Sequence, residues 1–268
     1  MTRVRRLARA FLLAPALYVL LLGLGLMSLA WNFVAMLLYP ALPPARGRML
    51  GRAGIAYGYR LFWSVASAAG MMRIDARCLR ALKDEPGLII VANHPTMLDA
   101  LLLVAQLPRS ACIMKASLLR NPFLGAGARL ARYIRNDSAR TMVRLAVNDL
   151  RSGGQLVIFP EGTRTAGGTL HPFRPGVTLI AKRASAPIQT VFIDTDSPYL
   201  GKGWPIWRVP PLPIVFRMRL GKRFLPAEED CEAMLATIEN YYKHHMEAAP
   251  RASAPEACRN NHRAPTLS

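Results

Sequence analysis

Leu88-Ile89-Ile90-Val91-Ala92-Asn93-His94-Pro95-Thr96-Met97-Leu98-Asp99 is the stretch on which the reading of this chain turns. An apolar, β-branched run of this length reads as a buried strand, and Pro95 suits the first turn of a helix, where its missing N–H costs nothing. His94 then stands at a strand-to-helix junction. Asp99 falls in the second helical turn, where side chains lean back toward the helix start, so its carboxylate comes within reach of the imidazole. A carboxylate on one ring nitrogen fixes the tautomer and raises the basicity of the other, which makes His94 a candidate general base for a hydroxyl. The same pair also suits a histidine capping a helix beside an acid on its exposed face, so the rest of the chain must decide.

Outward from this stretch, strands and helices alternate. Met72-Arg73-Ile74-Asp75 begins a strand, and Asp84-Glu85-Pro86-Gly87 reads as a turn before the His94 strand. Ala100 to Gln106 completes the helix after Asp99. Ala111-Cys112-Ile113-Met114 is a short strand ending at Lys115, and Asn121-Pro122 to Ala131 is a loop and short helix before Tyr133-Ile134-Arg135-Asn136. Ser138 to Arg151 reads as a helix, ended by Ser152-Gly153-Gly154. Pro187 to Ile193 is another strand, Ile214 to Leu220 alternates like a half-exposed one, and Glu228 to Met246 is a polar helix. The expected fold is α/β, a mixed central sheet flanked by helices. Tyr199 to Pro213 has no regular pattern.

A second motif lies in Gln155-Leu156-Val157-Ile158-Phe159-Pro160-Glu161-Gly162-Thr163-Arg164, where a strand runs into a Pro/Gly turn. The turn holds one acid and one arginine at the C-terminal mouth of a strand, where open α/β sheets bind ligands. Gly162 allows close backbone approach, and Arg164 offers a planar fork suited to phosphate. Thr165 to Thr169 follows as a flexible loop.

Arg3, Arg5, Arg6 and Arg9 precede an interval without any charge up to Arg46. An apolar run well above the roughly 20 residues that cross a bilayer is a membrane segment, too long for the apolar core of a signal peptide. Pro15, Gly23, Gly25 and Pro40 are points where it can bend, and both a tilted span and a segment dipping into one leaflet fit. Arginines flank both ends (Arg6 and Arg9; Arg46, Arg48 and Arg52), so the positive-inside rule selects no orientation. Ile55 to Met72, with Tyr57, Tyr59, Phe62, Trp63 and Arg60, suits either an interfacial helix or a core helix. The division that follows is a membrane-anchoring segment over 1–72, an α/β domain over 73–247 and a disordered tail over 248–268.

Lys and Arg number 35 against 16 Asp and Glu, a formal charge of +19, so the partners are anionic: nucleic acid, an acidic membrane, or phosphorylated small molecules. No nucleic-acid module of the usual kinds is present. Cys78, Cys112, Cys231 and Cys258 lack metal-ligand or disulfide spacing. His171, His244, His245 and His262 have no recognisable partner and read as surface residues. No Gly-x-Ser-x-Gly element supplies the serine nucleophile of a hydrolase.

Asn93-His94-Pro95-Thr96-Met97-Leu98-Asp99 followed some sixty residues later by Phe159-Pro160-Glu161-Gly162-Thr163-Arg164 resembles the glycerolipid acyltransferases, and among them the lysophosphatidic acid acyltransferase family. The resemblance covers about residues 70 to 195. It implies that His94 is the general base and Asp99 its orienter, and that a glycerol hydroxyl attacks an acyl thioester directly, without an acyl-enzyme intermediate. It implies further that Glu161, Gly162, Thr163 and Arg164 shape the acceptor site, with Lys115 and Arg135 adding phosphate contacts. Acyl-CoA or acyl carrier protein is the co-substrate, with no metal or bound cofactor. The protein is expected in membrane lipid, as in a bacterial inner membrane with the catalytic domain facing the cytoplasm.

Two departures from the family pattern stand out. Its second block usually reads Ile-Asp-Arg, where this chain has Tyr133-Ile134-Arg135-Asn136. Its fourth has two prolines, where Pro187-Ile188-Gln189-Thr190-Val191 keeps one. Both bear on acceptor shape more than on the base, so a lysolipid other than lysophosphatidic acid, such as a lyso-ornithine lipid, is an alternative acceptor. A basic, non-catalytic membrane-binding protein is the alternative of another class.

Overall fold

The Ile89–Ala92 strand is the middle member of a seven-stranded sheet, with all four residues buried. The computed structural model describes residues 3–165, 170–205, 208–226 and 230–247. In chain order the elements are α1 (Arg3–Ala41), α2 (Pro44–Ala68), β1 (Met72–Asp75), β2 (Ile89–Ala92), α3 (Asp99–Gln106), β3 (Ser110–Met114) and α4 (Gly125–Leu130). There follow β4 (Ile134–Arg135), α5 (Ala139–Arg151), β5 (Gln155–Ile158), α6 (Gly176–Ala184), β6 (Ile188–Thr195), β7 (Ile214–Phe224) and α7 (Cys231–Glu247). Segments 166–169 and 206–207 and the tail 248–268, for which a flexible loop, irregular chain and disorder were expected, lie outside the described residues.

The strands run in the order β1-β7-β6-β2-β5-β3-β4. β6, β2, β5, β3 and β4 are mutually parallel, whereas β7 is antiparallel to β6 and carries β1 parallel to itself. The sheet is therefore mixed, as expected. Along β2 the side chains alternate between two cores: Ile90 and Ala92 join Phe62, Trp63, Leu102 and Phe216, while Ile89 and Val91 join Val143, Ala146, Ile180 and Tyr242. A strand buried on both faces needs this unbroken apolar run.

The helix after the junction starts at Asp99, not at Pro95. Proline disfavours the helical conformation in the residue before it, so the chain stays extended through His94. The Asp99 carboxylate then takes the Thr96 N–H and hydroxyl, and Thr96 Oγ1 accepts the Leu98 N–H, which holds residues 96–98 as a turn. Asp99 thus occupies the first helical turn, not the second.

α1 and α2 form an antiparallel hairpin laid over the sheet domain. Leu17 and Leu20 of α1 join the same core as Phe62, Trp63 and Leu102. A side chain on Gly54 would overlap the Trp31 ring, and one on Gly51 would stand 2.5 Å from the Ala131 nitrogen, so these glycines let α1 and α4 approach α2. Asn32 Oδ1 accepts the N–H groups of Ala126 and Gly127 at 2.7 and 3.0 Å, satisfying orphan donors at the start of α4.

Pro15–Ala41 is long and apolar enough to cross a membrane. Val19, Leu22, Leu26, Leu29, Phe33, Met36 and Tyr39, at helical spacings of three and four, are all exposed along it.

Ile55 to Ala68 lies within the 25-residue helix α2, which buries Ala56, Phe62, Trp63 and Ala66 against the core and exposes Tyr57, Leu61 and Val65, so the core reading holds for one face. Arg48 and Arg52, taken from the sequence as flanks of a membrane segment, instead point into the domain. Both reach Asp149 Oδ1, at 3.1 and 2.8 Å, and Arg52 also donates to the carbonyls of Ala131 and Arg109. Arg60 donates to the Ala105 carbonyl in the last turn of α3. Satisfied in this way, the three arginines tolerate positions beside the core that bare charges would not.

Candidate active site

Parallel strands bring their C-terminal ends to one edge of the sheet. β2 delivers His94 there, β5 the Phe159–Arg164 turn, β3 Lys115 and β4 Arg135. The two sequence motifs, sixty residues apart in the chain, are therefore neighbours because β2 and β5 pair directly.

Asp99 Oδ2 lies 2.9 Å from His94 Nδ1. The Asp99 side chain is fully buried and that of His94 is 19% exposed. Asp99 Oδ2 also accepts the Thr96 N–H at 2.7 Å, and Oδ1 accepts the Thr96 hydroxyl at 2.7 Å. Burial pushes the Asp99 carboxyl above its ordinary range, against hydrogen bonds from His94 and Thr96 that hold it down. With Nδ1–H donated to a carboxylate, the neutral imidazole presents an unprotonated Nε2, which has no hydrogen-bond partner among the described residues. The Phe159 ring stacks on the imidazole at 4.1 Å between centroids and 22° between planes. Nδ1 and one ring face are thereby fixed.

The backbone around His94 is held equally firmly. Asn93 makes a two-way amide pair with Ile193 of β6, donating to its carbonyl at 2.9 Å and accepting its N–H at 2.8 Å. Tyr242 of α7 donates its hydroxyl to the Val91 and Val191 carbonyls, stapling β2 to β6 just before the motif. The Thr165 N–H donates to the His94 carbonyl at 2.8 Å, and Thr165 Oγ1 accepts the His94 N–H.

Glu161 is buried and turned inward. Its Oε1 accepts the Thr165 hydroxyl at 2.6 Å and its Oε2 accepts the His171 N–H at 3.0 Å. Through Thr165 it is tied to the backbone of His94. Gly162 sits at φ +66°, a conformation that favours glycine, and the Arg174 guanidinium lies where a side chain there would go. Gly162 and Thr163 are exposed. Arg164 Nη1 donates to the carbonyls of Leu200 and Gly201 at 2.8 and 2.9 Å, and the Met97 N–H donates to the same Leu200 carbonyl. The 197–201 loop thus joins the two motifs. Lys115 is exposed at the end of β3, and Arg135, half-exposed, pairs with Asp137 at 2.9 Å.

Thr96, Phe159, Thr165, Arg174 and the 197–201 loop belong to the site as well, beyond the residues expected from the sequence. For Thr96 a signal existed: Thr-x-x-Asp is the spacing of a capping box. For His171 the backbone N–H matters, and nothing in a sequence marks that.

An acyltransferase family model matches residues 73–194. Among curated proteins, the chain is 27% identical over 174 residues to a 1-acyl-sn-glycerol-3-phosphate acyltransferase of Cocos nucifera, covering 62% of this chain and 54% of that one. It is 33% identical over 138 residues to the human 1-acyl-sn-glycerol-3-phosphate acyltransferase beta, covering 48% and 49%. It is 26% identical over 186 residues to a 1-acyl-sn-glycerol-3-phosphate acyltransferase of Pseudomonas aeruginosa, covering 66% and 70%. The chain thus spans about half the length of the first two of these relatives. The crystal structure of the 1-acyl-sn-glycerophosphate (LPA) acyltransferase PlsC from Thermotoga maritima superposes with a TM-score of 0.59 over 83% of this chain and 95% of that one, at 20% identity, a likeness of fold. Residues 73–194, the segment that carries the His94–Asp99 pair and the Glu161–Arg164 turn, are thus what this chain shares with the acyltransferase family.

Proposed function

We propose that the protein transfers a fatty acyl group from an acyl thioester to the free hydroxyl of a lysophospholipid, most simply 1-acyl-glycerol-3-phosphate to give phosphatidic acid. The observation that carries this reading is the His94–Asp99 pair, with Nε2 open at a sheet edge that also presents Lys115, Arg135, Arg164 and Arg174. The printed names of the relatives point to the same acceptor.

His94 Nε2 takes the proton of the acceptor hydroxyl as the oxygen attacks the thioester carbonyl. The C–O bond forms, the tetrahedral oxyanion collapses, the C–S bond breaks, and the imidazolium returns the proton to the departing thiolate. Asp99 is a positioning residue that keeps the tautomer and stabilises the imidazolium. Thr96 holds Asp99. Glu161, buried and accepting from Thr165 and His171, acts through Thr165 on the His94 backbone. Arg164, braced by the 197–201 loop, Lys115 and Arg135 attract the acceptor phosphate, and Arg174 adds a cation over Gly162. CoA or acyl carrier protein serves as donor, both anionic. α1 seats the protein in the membrane, with the catalytic edge on the cytoplasmic side.

The test is transfer from a labelled acyl-CoA to a panel of lysolipids in membranes holding the wild type, with products resolved by mass. Phosphatidic acid formed from lysophosphatidic acid supports the reading. Product from lyso-ornithine lipid alone would keep the chemistry and move the acceptor, and no product with any lysolipid and either donor would overturn the proposal.

A further inference from the structure

At the β4 edge of the sheet, beside the elbow between α1 and α2, lies a cavity of about 560 Å³ lined by Arg48, Arg129, Arg132 and Arg135, with Tyr39 at its rim. β4 is three strands from β2, about 14 Å at the usual strand spacing, so the cavity is displaced from His94, with Arg135 the lining residue that borders both it and the proposed acceptor site. Asp149 is the one carboxylate in the lining, and it is already shared by Arg48 and the buried Arg52.

The arginines are held in place without being used up. Arg129 donates to the Leu119 carbonyl at 2.6 Å, Arg132 lies over the Tyr39 ring at 5.4 Å from its centroid, and Arg135 pairs with Asp137. Each guanidinium carries five N–H donors, so most of that capacity stays open to an anion with several acceptor oxygens.

Tyr39 is also the last member of the exposed apolar stripe on α1, which starts at Val19 and covers about 30 Å. A cationic cavity that opens at the end of an apolar track of this length matches an amphiphile, with a phosphate in the cavity and acyl chains along the helix. We propose that this is a second lipid site, for a non-substrate anionic phospholipid whose headgroup phosphate is held by Arg129 and Arg132. A zwitterionic headgroup is disfavoured because its quaternary ammonium would face the same guanidinium groups. The inference rests on the membrane reading of α1 and not on the acyl-transfer reading.

The experiment compares retention of phosphatidylglycerol and phosphatidylcholine by the full chain in detergent, using native mass spectrometry, for the wild type and for Arg129→Gln/Arg132→Gln. The expected result is a wild-type preference for phosphatidylglycerol that falls on the order of tenfold in the double variant, two charge-assisted contacts being lost. Transfer in phosphatidylcholine vesicles, and the KM for the lysolipid, should not change. Arg129→Gln alone serves if Arg132, at φ +56°, tolerates no replacement. Equal retention of the two lipids by the wild type, or a preference that survives both substitutions, would overturn the site. Loss of the preference on adding inorganic phosphate or adenosine 3′,5′-bisphosphate would overturn the lipid occupant in favour of a soluble phosphate. A raised KM in the variant would instead place the cavity in the acceptor site. The lipid preference is read without turnover, so it stands or falls independently of the proposed reaction.

Discussion

The Asp99 carboxylate holds the His94 imidazole from beneath, Oδ2 to Nδ1 at 2.9 Å, while Thr96 supplies its other hydrogen bonds. An asparagine fits the same place: its carbonyl oxygen accepts from both His94 Nδ1 and Thr96 N, and its amide donates to Thr96 Oγ1. Asp99→Asn therefore keeps the tautomer and loses only the charge that stabilises the imidazolium. We expect kcat to fall by about 10²-fold, near the low end of a general-base contribution, with KM for the lysolipid unchanged in steady-state assays. An undiminished kcat would remove Asp99 from the mechanism.

The same substitution has a signed effect on stability. Burial raises the Asp99 pKa in the folded protein, so the native state pays for the ionised carboxylate at pH above that raised value. The cost fades as pH falls through it toward the ordinary carboxylate range and is gone below. Asp99→Asn should therefore melt at or above the wild-type temperature near neutral pH. That advantage should vanish in acid, as thermal melts across the pH range would reveal. Asp99→Asn melting below the wild type near neutral pH would contradict the burial effect.

Thr165 links Glu161 to the His94 backbone. Thr165→Val should leave the buried Glu161 Oε1 without its donor, costing about 1–3 kcal/mol, and should lower kcat more than it raises KM. Were Glu161 a direct acceptor ligand, the variant would show the opposite split.

Arg52 ties α2 to the domain through Asp149 and two carbonyls. Arg52→Met leaves Asp149 to Arg48 and removes the donor to two carbonyls, and should cost about 1–3 kcal/mol, measurable by denaturation in detergent. Gly51→Ala, which drives a methyl into the Ala131 backbone, should cost about 1–3 kcal/mol. Loss well below these values would mean that α2 is only loosely seated.

How much of this the sequence disclosed depends on how local each cause is. The buried run Leu88–Ala92, the Ser138 cap of α5 and the strand ending at Lys115 are written in periodicity and capping residues, and all appear. The nearness of His94 and Asp99 was legible too, although through a Thr96 turn and not a second helical turn. The inward contacts of Arg48, Arg52 and Arg60 were not legible because their partners, Asp149 and the backbone of 105, 109 and 131, are distant in the chain. Flanking charge looks the same whether it faces lipid headgroups or a buried carboxylate. The inward turn of Glu161 and the bracing of Arg164 by Leu200 depend on a loop with no regular pattern, so only the folded chain reveals them.

The central claim is that His94 Nε2 activates the acceptor for direct attack, without an acylated protein on the way. The measurement that addresses it is thiol release from acyl-CoA with and without lysophosphatidic acid, for wild type and His94→Ala, with intact-protein mass recorded before acceptor is added. We expect acceptor-dependent release by the wild type, a fall of about 10²-fold or more in His94→Ala with the variant still membrane-bound, and no acyl mass on either protein. Transfer at wild-type rate in His94→Ala, or an acylated wild-type chain that passes its acyl group to the acceptor, would contradict it.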